Sequence, residues 1–169
     1  MLYNQHINKL GVQPNIKKEK IEMKRKSIFI NRDMIEGFVC DDVYTSYMMT
    51  GDELLNEGEH MINCNMGDLK PHSRLAGSAH EDMEIYYVVN CAKGAKVVTG
   101  QDIPGEDEET VYDVKPGDFI IIPGGVFHWI DNRDCDEPFT IMTMWPKQEQ
   151  NGCYFARKDA WGKSFKFKK

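Results

Sequence analysis

Two histidines and one glutamate of this chain have the residue types and the setting of a metal site. His128 stands in residues 117–132, GDFIIIPGGVFHWIDN, where a Pro-Gly-Gly turn separates two apolar runs. An imidazole among apolar neighbours needs a partner, and a metal ion or a backbone carbonyl would serve. His80 precedes Glu84 by four residues, and in extended geometry these two side chains and Asp82 would share one face.

A barrel that folds the strand after His80 close to the strand with His128 would bring two imidazoles and a carboxylate together in its interior. Such a set suits one divalent ion, Fe, Mn, Ni, Co or Zn, and leaves positions for a substrate. His72 lies upstream and could supply a third imidazole. Tyr86 shares the face of Glu84, where its phenol could act as a general acid or base or hold a substrate oxygen. The alternative is a tyrosine that packs in the barrel with its hydroxyl satisfied.

Short apolar runs between glycine and proline turns would position these residues. No helical pattern long enough for the crossover of a parallel sheet lies between residues 59 and 145, so the sequence predicts an all-β sandwich or barrel. The strand at 60–66 is expected to end at Gly67-Asp68. The predicted strands are 27–30, 36–42, 43–51, 60–66, 83–89, 95–100, 110–114, 119–123, 126–130 and 138–145.

The chain divides at changes in composition. Its 169 residues are enough for one domain with a substantial core. Residues 1–26 are polar with sparse apolar positions and predict an N-terminal arm or short helix. Residues 27–145 are predicted to form the barrel, and residues 146–169 a C-terminal extension that we expect to wrap the outside of the sheet.

Charge and cysteine usage narrow the partners and the compartment. A net charge of −6 argues against nucleic acid, because phosphate binding needs a basic surface. No apolar run is long enough to cross a membrane, and the N-terminus has no signal-peptide core. The five cysteines are odd in number and far apart, which favours reduced thiols and a cytoplasmic protein. We therefore expect a small-molecule ligand and neither nucleic acid nor a membrane as partner.

Residues 117–132 resemble the second cupin motif, G-x5-P-x-G-x2-H-x3-N. All five fixed positions match, at Gly117, Pro123, Gly125, His128 and Asn132.

The first cupin motif, G-x5-H-x-H-x3,4-E-x6-G, is matched in part. His80 and Glu84 keep the spacing of its second histidine and its glutamate, but Ser78 stands two positions before His80, and Cys91 replaces the closing glycine. If His72 is the first histidine, residues 73–79 are an insertion between the two.

The resemblance covers about residues 59–145 and implies a cupin-type double-stranded β-helix, that is, a jelly-roll barrel with its site inside, and commonly a homodimer. It implies a metal-dependent enzyme that acts on a small oxygen-rich metabolite, a sugar or organic acid, by lyase, isomerase, decarboxylase or dioxygenase chemistry. The alternative is a cupin that binds a small molecule without catalysis, which the altered first motif favours. A storage role has no positive signal in the sequence.

Overall fold

The computed structural model describes residues 27–51, 54, 62–100, 109–146 and 152–169, and these form an all-β fold with one α-helix. The predicted all-β architecture is confirmed. In chain order the strands are β1 (Phe38–Cys40), β2 (Tyr44–Met48), β3 (Ile62–Leu69), β4 (Glu84–Asn90), β5 (Lys96–Thr99), β6 (Thr110–Asp113), β7 (Phe119–Ile122), β8 (His128–Asp131) and β9 (Phe139–Pro146), and the helix is α1 (Gly152–Trp161). A single 3-10 turn, Arg32–Met34, precedes β1.

The strands form two antiparallel sheets. The larger has the order β1-β2-β3-β9-β4-β7, and the smaller has the order β6-β5-β8. β9 therefore lies between β3 and β4, although it is the last strand in sequence, and this crossover is typical of a jelly roll rather than a meander.

Alternating side chains define the inner face. On β4 Glu84, Tyr86 and Val88 are buried, whereas Ile85 and Tyr87 on the other face are half-buried. This is the alternation that a strand with one face on the core requires. The core side chains with almost no exposure include Leu69, Val88, Val97, Phe139 and Ile141, and burial of each such side chain stabilises the fold by roughly 1.5–3 kcal/mol.

The N-terminal and C-terminal parts of the described chain pack on each other. Residues 27–30 form no strand, which corrects the prediction for this segment. A strand needs a neighbour for its backbone groups, and here the pairing begins later, where Glu36 N–H donates to Lys166 O (2.8 Å) and Lys168 N–H donates to Met34 O (2.9 Å). A second buried cluster, Ile35, Met48, Trp145 and Phe165, lies beneath this pairing. The arm at 1–26 lies outside the described residues, so the division of the chain into arm, barrel and extension stays a prediction.

Cys40 and Cys153 form a disulfide that joins β1 to α1. The interpretation of all five cysteines as reduced thiols is therefore wrong for this pair. The two residues are 113 positions apart, and their Cα atoms lie 6.3 Å from each other, so only the packing of α1 beside β1 reveals the pairing. Cys64, Cys91 and Cys135 are free thiols.

Among the described residues, no helix has the length and apolar character needed to span a bilayer.

Candidate metal centre

Three side chains converge inside the barrel. His80 Nε2 lies 3.1 Å from Glu84 Oε2, and His128 Nε2 lies 3.0 Å from the same oxygen. One ligand atom from each of the three residues lies within 4.8 Å of the others. The structure thus brings together three of the four residues that the sequence suggested as metal ligands.

Strand ends and one glycine turn position this group. Glu84 is the first residue of β4, and His128 is the first residue of β8. The turn at residues 123–125 passes directly against the loop that carries His80, because Gly125 N–H donates to His80 O at 2.7 Å. A Cβ on Gly124 would lie 1.9 Å from the carbonyl oxygen of Glu81. The turn needs glycine here for close backbone approach, and that approach fixes His80 beside His128.

Backbone carbonyls fix the orientation of both imidazole rings. His80 Nδ1 lies 2.7 Å from Asp82 O, and His128 Nδ1 lies 2.8 Å from Val126 O. A carbonyl only accepts, so Nδ1 of each ring carries a proton. Nε2 then offers a lone pair to a metal ion or, when it carries a proton as well, a hydrogen bond to Glu84. Carbonyl partners of this kind orient metal-binding histidines in general.

The charge of Glu84 is stabilised by its two neighbours. Burial acts to raise the pKa of Glu84, but the hydrogen bonds from His128 and His80 outweigh it, and the net pKa lies below the ordinary value. The hydrogen bond to Glu84 raises the pKa of His80, although burial opposes this. A carboxylate that is ionised and nearly enclosed favours a cation beside it.

The structure does not bring His72 to this group. Its side chain is 65% exposed, and Nε2 lies 3.1 Å from Asp136 Oδ1. The backbone of His72 has a φ of +55° in a turn, and this turn directs the side chain away from the barrel interior. The expectation of a third imidazole at this position is therefore corrected.

The segment between His72 and His80 runs along β8. Ser78 and His128 exchange two backbone hydrogen bonds, of 3.1 and 3.0 Å, and Leu75 N–H donates to Ile130 O at 3.1 Å. What the sequence suggested as an insertion is thus a short irregular partner of β8. Ser78, at the place where the first motif has a histidine, lines a cavity beside His80 and Glu84.

A cavity of about 600 Å³ opens beside His80 and Glu84. This volume suits a small organic ligand. Tyr86 lines it, and its ring lies 5.6 Å from that of His128 between centroids. No described residue hydrogen-bonds to the Tyr86 hydroxyl, although the side chain is almost fully buried. Burial, and then the charge of Glu84, raise the pKa of Tyr86, so the hydroxyl keeps its proton and serves as a donor.

Sequence reasoning missed three further polar residues of the cavity wall, Tyr44, Asn65 and Thr143. Asn65 is opposite Thr143 in the β3–β9 pairing, and Thr143 is opposite Tyr86 in the β4–β9 pairing. One signal could have found Tyr44, because an isolated glycine inside a strand marks close approach of another group.

Gly67 is that glycine. A Cβ added to it would lie 1.8 Å from the Tyr44 hydroxyl oxygen, so the Tyr44 ring lies directly over β3. β3 continues through Gly67 and Asp68 to Leu69. The strand end predicted at Gly67-Asp68 is therefore wrong.

Solved structures with the same fold include a polyketide cyclase, an oxalate decarboxylase and a vicilin. The polyketide cyclase RemF from Streptomyces resistomycificus has a TM-score of 0.56 at 15% identity, over 75% of this chain and 83% of its own. The oxalate decarboxylase of Bacillus subtilis, which has Mn(II) centres, has a TM-score of 0.53 at 16% identity, over 67% of this chain and 28% of its own. Vicilin from hazelnut, Corylus avellana, has a TM-score of 0.54 at 18% identity, over 73% of this chain and 34% of its own.

This chain therefore spans about a third of the length of the last two proteins. No protein-family model matches the chain, and no curated protein sequence matches it. The structural likenesses include an RmlC-like cupin from Shewanella frigidimarina, with a TM-score of 0.51 at 14% identity, over 76% of this chain and 97% of its own. Together with the two-sheet topology, they show that the chain has the cupin fold that its motifs predicted.

Proposed function

We propose that this chain, which has the cupin fold, is a metal-dependent enzyme that acts on a small oxygen-rich metabolite, a sugar or organic acid. His80, Glu84 and His128 would hold one divalent ion. The observation that carries the proposal is the approach of two imidazole Nε2 atoms, at 3.1 and 3.0 Å, to a single carboxylate oxygen.

The donor set of these residues fits a metal ion. Because both Nδ1 atoms face backbone carbonyls, the two neutral rings present lone pairs at Nε2, and the carboxylate oxygen presents lone pairs as well. Three such atoms can lie this close only with a positive charge among them, either protons on the rings or a metal ion. Two imidazoles and one carboxylate match the ligand preference of Fe(II), Mn(II), Ni(II), Co(II) and Zn(II).

The residues around the ion define what the site could do. When bound, the ion would supply Lewis-acid polarisation of ligand oxygens. The Tyr86 hydroxyl, which keeps its proton, would donate a hydrogen bond to a substrate oxygen. This role replaces that of a general acid or base, because the raised pKa of Tyr86 disfavours the phenolate that either role requires. Glu84 and Tyr86 are both nearly buried, and low exposure to water strengthens both interactions.

The similar structures support catalysis without selecting a reaction, since a fold alone does not determine function. RemF is a polyketide cyclase and the Bacillus protein is a decarboxylase, so lyase, isomerase, decarboxylase and dioxygenase chemistry all stay within the proposal. Ser78, in place of the first histidine of the motif, favours the second candidate, a cupin that binds a small molecule without catalysis.

Metal analysis of the purified protein tests the proposal. We expect close to one equivalent of a divalent metal, and loss of that metal in His80→Ala. His72→Ala is the matched control, because His72 lies outside the cluster, and it should retain the metal. Wild-type protein without metal after loading with each of the five ions would contradict the proposal. Stoichiometric metal with no turnover of any sugar or organic acid would favour the binding protein.

The homodimer and the cytoplasmic location stay predictions. Sedimentation of the purified protein would test the first, and fractionation of the cells that make it would test the second.

A further inference from the structure

A chain of buried polar side chains runs from helix α1 to the wall of the cavity. Arg157 Nη1 lies 2.8 Å from Ser46 Oγ, Ser46 Oγ lies 2.6 Å from Asn65 Oδ1, and Asn65 Nδ2 lies 3.0 Å from the Tyr44 hydroxyl. All four residues are nearly fully buried. None of them belongs to the three-residue cluster.

The hydrogen bonds in this chain can run in one direction only. A guanidinium has donors and no acceptor, so Ser46 Oγ accepts from Arg157 and gives its own proton to Asn65 Oδ1. With its oxygen engaged in this way, the Asn65 amide nitrogen must face Tyr44 and donate to the phenol oxygen. The proton of the Tyr44 hydroxyl is left for another acceptor, and no described residue provides one.

Tyr44 lines the cavity together with Glu84 and Tyr86. Burial, and then the charge of Glu84, raise the pKa of Tyr44 far above its ordinary range, so the hydroxyl is protonated at any physiological pH. The close fit of its ring over Gly67 restricts the ring to one position.

The charges along the cavity restrict the ligand. Its described lining includes Asp41, Asp82 and Glu84 but neither lysine nor arginine. Arg157 is buried behind Ser46 and is not part of that lining. A phosphate ester carries about two negative charges and would meet no lysine or arginine of this described lining, only the proposed metal ion.

We propose that Tyr44 is a specificity-determining residue of this cavity, whose hydroxyl, oriented through Asn65, Ser46 and Arg157, donates a hydrogen bond to an oxygen of the ligand. The ligand is an uncharged or singly charged oxygen-rich molecule, such as a polyol or hydroxy acid, rather than a phosphate ester. This inference rests on the proposed function, because it concerns a ligand of the same cavity.

Calorimetric titration of glycolate into the protein, with and without Co(II), tests the role of Tyr44. Loss of one hydrogen bond to a singly charged ligand should weaken glycolate binding by about tenfold in Tyr44→Phe. Co(II) affinity should not change. Tyr47→Phe is the matched control, because Tyr47 is on the same strand with its side chain on the opposite face, and it should bind glycolate as the wild type does.

A second pair of variants tests the orientation of the hydroxyl. In Ser46→Ala the Asn65 amide is free to turn its oxygen towards Tyr44, and the phenol then donates to Asn65 instead of the ligand. We expect weaker glycolate binding at unchanged Co(II) affinity, and recovery in Ser46→Thr, which restores the hydroxyl. Thermal denaturation identifies any variant that fails to fold.

Three outcomes would overturn the inference: equal glycolate affinity in wild type and Tyr44→Phe, no glycolate binding by the wild type, or tighter binding of 2-phosphoglycolate than of glycolate. Failure of the proposed function gives a different result. If Co(II) does not bind, the metal assignment fails, and the titration without metal still decides whether Tyr44 contacts the ligand.

Discussion

Replacement of Glu84 by glutamine separates the observed pairing of this carboxylate with two imidazoles from its proposed role as a metal ligand. Glutamine keeps the size of the side chain and removes its charge. In the metal-free protein the carboxylate pairs with two imidazoles, and in the metal-bound protein it would be a ligand. The variant should therefore lose stability without metal and lose the additional stability that metal gives.

The size of both losses follows from the contacts. Glu84 accepts two hydrogen bonds, of 3.0 and 3.1 Å, and its side chain is only 11% exposed. Charge-assisted bonds contribute roughly 1.5–3 kcal/mol each, and removal of one partner of a buried pair costs about 3–5 kcal/mol. For a chain of this size that loss lowers Tm by about 10 °C. Mn(II) at a hundred times its Kd should stabilise the wild type by about 2.7 kcal/mol.

Thermal denaturation at pH 6, with EDTA or with Mn(II), measures both quantities. We expect the Tm of wild type to rise by about 5–11 °C with Mn(II), and the Tm of Glu84→Gln to stay the same in both buffers. Glu81→Gln is the matched control, since Glu81 is an exposed carboxylate of the loop before β4, and it should respond to Mn(II) as wild type does. An equal rise in Glu84→Gln would refute the assignment of Glu84 as a ligand.

Three other predictions concern the pH dependence, the disulfide and Gly67. The pKa of Glu84 is lowered and that of His80 is raised, so their pairing stabilises the metal-free protein at pH values between the two. This stabilisation is lost as pH falls through the pKa of Glu84 or rises through the pKa of His80. Metal binding needs deprotonated imidazoles, so the difference in Tm between Mn(II) and EDTA should grow as pH rises, and a difference independent of pH would contradict this. Denatured, unreduced protein should show three reactive thiols, whereas five would show that the disulfide is absent. Reduction of the disulfide should lower the free energy of unfolding, measured by urea titration, by about 4–5 kcal/mol. Gly67→Ala should lower the free energy of unfolding by about 1–3 kcal/mol and weaken glycolate binding as Tyr44→Phe does, because its Cβ would lie 1.8 Å from the Tyr44 hydroxyl. Unchanged stability and glycolate binding in this variant would show that the ring does not lie over β3.

Local sequence patterns predicted the parts of the site that depend on local geometry. The glycine turn before His128 needs close backbone approach, and a strand places Glu84 and Tyr86 on one face whatever the rest of the fold does. The strands of the barrel were predictable for the same reason, because alternation and turn residues act over a few positions.

The features that sequence did not predict depend on contacts between distant segments. On β2 both faces carry a tyrosine, Tyr44 and Tyr47, and only the sheet order decides which one faces the cavity. The partner of Cys40 is on a helix far along the chain. His72 is a candidate ligand by its residue type and its place upstream of His80, but the turn at its own backbone directs it outward. Neither property carries information about that φ.

The central claim is that His80, Glu84 and His128 hold one divalent ion. A crystal of the protein grown with Mn(II), measured on both sides of the Mn absorption edge, tests it most directly. We expect one strong anomalous peak at a distance of about 2.0–2.3 Å from His80 Nε2, His128 Nε2 and a Glu84 carboxylate oxygen. A barrel interior without a peak at these three side chains, or an ion bound to other residues, would contradict the account.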